Sequence, residues 1–194
     1  PEYPFPNGLI DCYNVVKYFS SKDNFLGKMD IIIMGDSAGG NMASVVSIIA
    51  SEEKVFKIKK QVLIYPLTYH IHDNDSVFDS VNENGQNWVL TNKKINNYLD
   101  LYVTDKKYLD CKYVSPLMAK TLYHQPETLI ITAEYDPLRD EGEEYGKKLR
   151  KYKNKVEIHR MKDVIHGFLT HPIKSKQMDK SLDLINNFIN GSEI

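Results

Sequence analysis

Three residues of this chain could together carry nucleophilic chemistry: Ser37, Asp136 and His166, in that order. Ser37 sits in Gly35-Asp36-Ser37-Ala38-Gly39-Gly40, a Gly-x-Ser-x-Gly pattern. A serine hydroxyl is a weak nucleophile at neutral pH. It needs a histidine to take its proton, and that histidine needs an acid to fix its tautomer. A short apolar, β-branched run, Asp30 to Met34, precedes the pattern, and an alanine- and valine-rich run follows it. Strand, tight turn and helix in that order form the setting of a nucleophile elbow, here Gly35, Asp36, Gly39 and Gly40 around Ser37. Its glycines are expected where a Cβ would clash in so sharp a reversal. The first amides of the following helix, with its dipole, would favour an oxyanion beside the hydroxyl. The plain alternative is a glycine-rich structural turn.

The acid and base candidates stand at predicted strand ends, where catalytic groups gather in a parallel sheet. Asp136 follows the apolar run Glu127 to Thr132, in Asp136-Pro137-Leu138-Arg139-Asp140-Glu141. His166 follows the last predicted strand, in Ile165-His166-Gly167-Phe168. Taken singly, Asp136 could be a turn aspartate before proline and His166 a loop histidine. Asp140 is a rival acid, but it stands where a helix N-cap is wanted. Asp163 reads as an exposed loop residue. His70 and His72, with Asp73 and Asp75, suggest either a metal site or a polar loop. No matching ligand pair occurs elsewhere at a recognisable spacing, which favours the loop. His159 reads as a solvent-facing strand residue. His124 and His171 lie in connecting segments, His171 near enough to border a pocket.

The elements that must position these residues follow from periodicity. Pro1 to Pro6 reads as an extended lead-in and Asn24 to Lys28 as a turn. A helix from about Asn7 puts Leu9, Cys12, Tyr13, Val16 and Phe19 on one face. Strands are expected at Asp30 to Met34, Lys60 to Tyr65, Glu127 to Thr132 and Lys155 to Met161. Helices are expected at Ala38 to Ala50, Asp140 to Lys151 and Ser175 to Ile189, the last presenting Met178, Leu182, Ile185 and Ile189. Continuous apolar strands alternating with helices predict an α/β fold, a mostly parallel sheet covered on both faces. The segment 67–125 is too long for an ordinary connection. It reads either as a cap over a pocket or as an insertion whose aromatics (Tyr69, Phe78, Trp88, Tyr98, Tyr102, Tyr108, Tyr113) form their own small core. The expected organisation is therefore a catalytic core of residues 1–66 and 126–194, with 67–125 inserted as a helical cap.

Composition bounds the partners. The 194 residues are 42% hydrophobic, enough for one domain with a sizeable core. A formal net charge of −1 gives no reason to expect nucleic acid or an anionic membrane surface as a partner. Cys12 and Cys111 lie far apart and form no Cys-x-x-Cys pair, which favours free buried thiols in an intracellular, reducing compartment over a disulfide between them. No apolar run approaches the roughly 20 residues of a membrane span.

Together, Gly35-Asp36-Ser37-Ala38-Gly39-Gly40-Asn41, Asp136-Pro137-Leu138-Arg139-Asp140-Glu141-Gly142 and His166-Gly167-Phe168 resemble the hormone-sensitive-lipase branch of the α/β-hydrolases. That branch includes carboxylesterases, arylacetamide deacetylases and neutral cholesteryl ester hydrolases. Pro1-Glu2-Tyr3-Pro4-Phe5-Pro6 and Ser115-Pro116-Leu117 resemble its lead-in and its exit from the cap. The resemblance implies a serine hydrolase of small-molecule or lipid esters, or of acetyl amides, with no cofactor and no metal. Ser37 would be nucleophile, His166 general base and then acid, and Asp136 the residue fixing the tautomer. The Ala38 amide would donate one oxyanion hydrogen bond.

The family also carries a His-Gly-Gly-Gly stretch supplying further oxyanion amides, and none occurs in these 194 residues. The resemblance therefore implies that an upstream part of the catalytic domain is absent, that this chain alone is feeble or inactive, and that the first strand lacks its inner neighbour. Some eukaryotic relatives carry an N-terminal membrane anchor, so the resemblance leaves membrane association open. Oligomeric state is open too. The alternatives are a receptor-like protein that binds a small molecule without turnover, as plant gibberellin receptors do, and a degenerate hydrolase. His166 favours the enzyme.

Overall fold

A computed structural model describes residues 2–21 and 29–191. Among them, four strands form one parallel sheet in the order β1 (Ile31–Asp36), β2 (Ile58–Ile64), β3 (Glu127–Tyr135), β4 (Val156–Ile165). Parallel neighbours cannot be joined by a hairpin, so each connection crosses a face of the sheet. Helix α1 (Asn7–Ser20) precedes β1, and α2 (Ala38–Glu53) joins β1 to β2. Between β2 and β3 lie α3 (Asp79–Asn84), α4 (Asn92–Tyr102) and two 3-10 turns, Lys106–Tyr108 and Pro116–Met118. Helix α5 (Arg139–Lys151) joins β3 to β4, and α6 (Lys176–Asn190) follows.

The apolar strand runs are buried on both faces because alternate residues feed different cores. Val62, Ile64, Leu129, Ile131 and Met161 pack with Leu184, Ile185 and Phe188 of α6. Leu63 and Ile130 point the other way, against Ala43 and Ile48 of α2 and Tyr145 and Leu149 of α5. Helix α1 lies outside α2, with Leu9 against Val45 and Val46 and with Cys12, Tyr13 and Val16 beside them. Strand β1 ends the sheet and pairs only with β2 among the described residues. No helix among them is long and apolar enough to cross a membrane.

Several expectations are corrected. The lead-in turns back through residues 4–6, with a cis Phe5–Pro6 bond, rather than running extended. Phe19 is exposed and packs edge-on to Tyr18, because the buried stripe of α1 ends one turn earlier. In α6 the buried face is Ser181, Leu184, Ile185 and Phe188, leaving Leu182 exposed. Asp163 is exposed, as expected, but lies within β4 rather than in a loop, at positive φ where the pairing with β3 slips register. Both cysteines are free but half-buried, Cys12 Sγ standing 3.7 Å from Met42 Sδ. The turn expected at Asn24 to Lys28 lies outside the described residues.

The aromatics of 67–125 form no single core of their own. Tyr102 and Tyr108 pack on Phe5, and Trp88 stacks on Tyr135 of β3, ring centroids 5.2 Å apart. Leu90, Ile95 and Leu99 cluster with Leu138, just after β3.

Candidate active site

The turn from β1 into α2 places Ser37 at φ 53, ψ −118, backbone that a residue with a Cβ rarely adopts. Three backbone hydrogen bonds hold it there. The Ser37 N–H donates to the Ile64 carbonyl (2.9 Å), and its carbonyl accepts from the N–H of Asn41 (3.1 Å) and of Leu67 (3.4 Å). A Cβ at Gly35 would stand 2.2 Å from the Gly39 carbonyl oxygen, and one at Gly40 would stand 2.9 Å from Pro66 Cβ. Gly39 differs from the expectation: a Cβ there would meet only Asp36 Oδ1, at 3.9 Å. Ala38 opens α2, where backbone N–H groups have no intrahelical acceptor.

Asp136 leaves the end of β3 with its side chain fully buried. Its Oδ1 accepts from the Leu138 N–H (2.9 Å), and its Oδ2 lies 2.7 Å from His166 Nδ1. His166 follows β4, at a turn completed by Gly167 with φ +81. Its Nε2 lies 2.9 Å from Ser37 Oγ. An ionised Asp136 accepts only, so Nδ1 carries the proton and Nε2 presents a lone pair to the serine. Such a line of groups can take a proton from Ser37 Oγ and return it to a leaving group. The imidazole is mostly sheltered, 12% exposed.

Sequence reasoning missed Tyr65. It is buried at positive φ (34), and its ring centroid stands 4.7 Å from that of His166. Burial, then the nearby Asp36 carboxylate, push its phenol up to about 12. The position was recoverable only as the residue closing β2 before Pro66.

The sequence also missed a second buried cluster. His72 does lie in the loop between β2 and α3, but it is not solvated: its Nε2 lies 2.6 Å from Glu141 Oε2, both side chains fully buried. Glu141 Oε1 accepts from the N–H groups of Thr68 (2.6 Å) and Tyr69 (2.9 Å). Asp140 does not cap α5, because the helix begins one residue before it and Leu138 holds the N-cap position. Instead its carboxylate pairs with Arg139 and accepts from the Ser80 N–H (2.8 Å). The Ser80 hydroxyl donates to the Pro137 carbonyl (2.9 Å), and Arg139 reaches Glu83 (2.8 Å). Helix α3 is thereby fastened to the turn that carries Asp136.

The other histidines engage other partners. His70 Nδ1 lies 3.1 Å from Ser115 Oγ. His159 is half-buried beside Glu157 rather than fully solvent-facing. His171 is exposed and accepts from the Ile173 N–H through Nδ1. Among the described residues, no group of three or more His, Cys, Asp or Glu is placed to hold a metal ion.

Comparison with known proteins gives a consistent result. A family model described as alpha/beta hydrolase fold matches residues 1–170. An arylesterase of Saccharolobus solfataricus is 34% identical over 181 residues, covering 92% of this chain and 58% of the relative. The arylacetamide deacetylase of Rattus norvegicus is 27% identical, covering 89% of this chain and 58% of that protein. Among solved structures, a fungal esterase from Rhizomucor miehei superimposes with a TM-score of 0.91 at 36% identity, over 98% of this chain and 60% of the other. The chain thus spans about three-fifths of the length of these relatives.

Proposed function

We propose, for a chain that belongs to the α/β-hydrolase family, a serine hydrolase that cleaves carboxylic esters through an acyl-enzyme on Ser37. The observation that carries this reading is the unbroken line Ser37 Oγ, His166 Nε2, His166 Nδ1, Asp136 Oδ2, with spacings of 2.9 and 2.7 Å. His166 Nε2 takes the serine proton as Oγ adds to the acyl carbonyl, then gives that proton to the departing alcohol. Water, deprotonated by the same nitrogen, attacks the acyl-serine; the acyl–Oγ bond breaks, Nε2 returns its proton to Ser37 Oγ, and the acid is released. Asp136 stays ionised and keeps the proton on Nδ1. The Ala38 N–H donates to the oxyanion.

Residues 1–66 and 126–194 serve as the catalytic core, and 67–125 as the cap that bounds the acyl site. The relatives named arylesterase and arylacetamide deacetylase support acyl or acetyl esters, and acetyl amides, as the substrate class. No His-Gly-Gly-Gly stretch occurs in these 194 residues. Loss of one oxyanion donor costs on the order of 10²–10³ in rate, so we infer feeble turnover by the 194-residue chain beside its full-length protein. The test is hydrolysis of p-nitrophenyl esters of graded acyl length, and of an aryl acetamide, by full-length protein and its Ser37→Ala variant. Hydrolysis that vanishes in the variant is expected; equal hydrolysis by both would overturn the proposal.

A further inference from the structure

The segment Tyr65-Pro66-Leu67-Thr68-Tyr69 leaves β2 and touches the machinery at three places. The Tyr65 ring lies against the His166 imidazole. Pro66 packs on the backbone of Gly40 so closely that no side chain fits between them. The Leu67 N–H donates to the Ser37 carbonyl, and the Leu67 carbonyl accepts from Asn41 Nδ2 at 2.9 Å. The position of this segment therefore bears on both nucleophile and base.

Its far end is held by the Glu141 side chain, together with the Leu117 N–H that donates to the Thr68 carbonyl (3.0 Å). Oε1 accepts from two successive backbone N–H groups, those of Thr68 and Tyr69, and Oε2 faces His72 Nε2. The Glu141 main-chain carbonyl also accepts from the Thr68 hydroxyl (2.9 Å). Charge-assisted bonds of this kind are short and strong, and a fully buried carboxylate needs them. His72 Nδ1 is buried with no hydrogen-bond partner among the described residues, so Glu141 is the ring's one polar anchor. Glu141 lies five residues beyond Asp136, in the first turn of α5. One turn of chain thus carries both the acid of the line and the post that holds the segment beside Ser37 and His166.

We propose that Glu141 is a positioning residue for the hydrolytic site. With its carboxylate oriented by His72, it fixes residues 65–69 so that Leu67 sets the Ser37 carbonyl and Tyr65 sets the His166 ring. The proposal rests on the serine-hydrolase reading and adds a residue that touches none of the three reacting side chains.

The test uses full-length protein: wild type, Glu141→Gln and Glu141→Ala, each titrated with a fluorophosphonate so that kcat is expressed per reactive serine. The Gln variant keeps an oxygen for the Thr68 and Tyr69 amides and can turn its NH₂ to His72 Nε2, which accepts in the other tautomer, so it removes the charge while keeping the contacts. A misplacement near 1 Å costs up to about 10²-fold in rate. The expected order is therefore a kcat about 5-fold below wild type for Gln and about 30- to 100-fold below for Ala, with KM within about 3-fold throughout. Partial rescue by Gln and the kcat–KM split separate positioning from mere destabilisation. Wild-type kcat per titrated serine in Glu141→Ala, with only a lowered Tm, would overturn the proposal; should Glu141→Ala not fold, wild-type kcat in Glu141→Met, which keeps the bulk and accepts from neither amide, would do the same. Failure of the wild type itself to titrate at Ser37 would instead remove the hydrolase reading, and this proposal with it.

Discussion

Tyr65 and His166 stand ring against ring, centroids 4.7 Å apart with 57° between the planes, although 101 positions separate them in sequence. The phenol ring backs the imidazole, while the Tyr65 hydroxyl is buried, near Asp36 and Thr170 but in hydrogen-bonding geometry with no partner among the described residues. The ring and the hydroxyl therefore have separable consequences. Tyr65→Phe keeps the ring and removes an unsatisfied buried group. It should leave stability within about 1 kcal/mol and kcat within about 3-fold. Tyr65→Ala opens a cavity beside His166 and should cost about 3–5 kcal/mol. Thermal unfolding and ester kinetics on the two variants check both statements.

Asp136 accepts through both oxygens, from Leu138 N–H on one side and His166 Nδ1 on the other. Asp136→Asn can keep the Leu138 bond while turning its NH₂ toward Nδ1, which then must carry no proton. Nε2 would become the protonated nitrogen and could not accept from Ser37. The expected result is a fall in kcat on the order of 10⁴ with folding preserved. A fall of less than tenfold in steady-state ester hydrolysis would contradict this role.

The three glycines around the serine should respond differently to alanine. Gly35→Ala forces a Cβ to within 2.2 Å of the Gly39 carbonyl oxygen and should cost at least about 1–3 kcal/mol. Gly40→Ala must displace Pro66 and should also destabilise. Gly39→Ala has room, sits in a helix, and should change stability by less than about 1 kcal/mol. Melting temperatures of the three variants decide the matter.

Burial holds His70 below its ordinary value, against the opposing pull of the Asp110 carboxylate 3.4 Å away. The unfolded chain then binds a proton more readily than the folded one below about pH 6.5. Stability is full above that pH and is lost as pH falls through the lower folded value. His70→Asn should flatten this acid-side loss. Melting curves between pH 8 and 5 that stay parallel for wild type and variant would show His70 contributes none of it.

Much of the architecture was legible because it rests on local signals. The apolar runs at Gln61–Ile64 and Thr128–Ile131 pack on both faces, as continuous β-branched stretches do in a parallel sheet. Ser37, Asp136 and His166 could be nominated because each follows such a run within a few residues. Contacts between distant segments were not legible. His72 and Glu141 are 69 positions apart, and neither residue's neighbours betray that both side chains are fully buried. The outward turn of Leu182 and the inward turn of Leu184 are decided by where α6 meets the sheet, which periodicity leaves open by one or two residues. Asp140 misled for a similar reason. Arg139 and Ser80 claim its carboxylate, so it braces α3 instead of capping α5.

The most direct measurement is intact mass after fluorophosphonate treatment of full-length protein and of the 194-residue chain, each beside its Ser37→Ala variant. One adduct on the full-length protein, absent from the alanine variant and much slower to form on the 194-residue chain, is the predicted result. Folded full-length protein that gains no adduct, or gains it equally after Ser37→Ala, would contradict the assignment of Ser37 as an activated nucleophile.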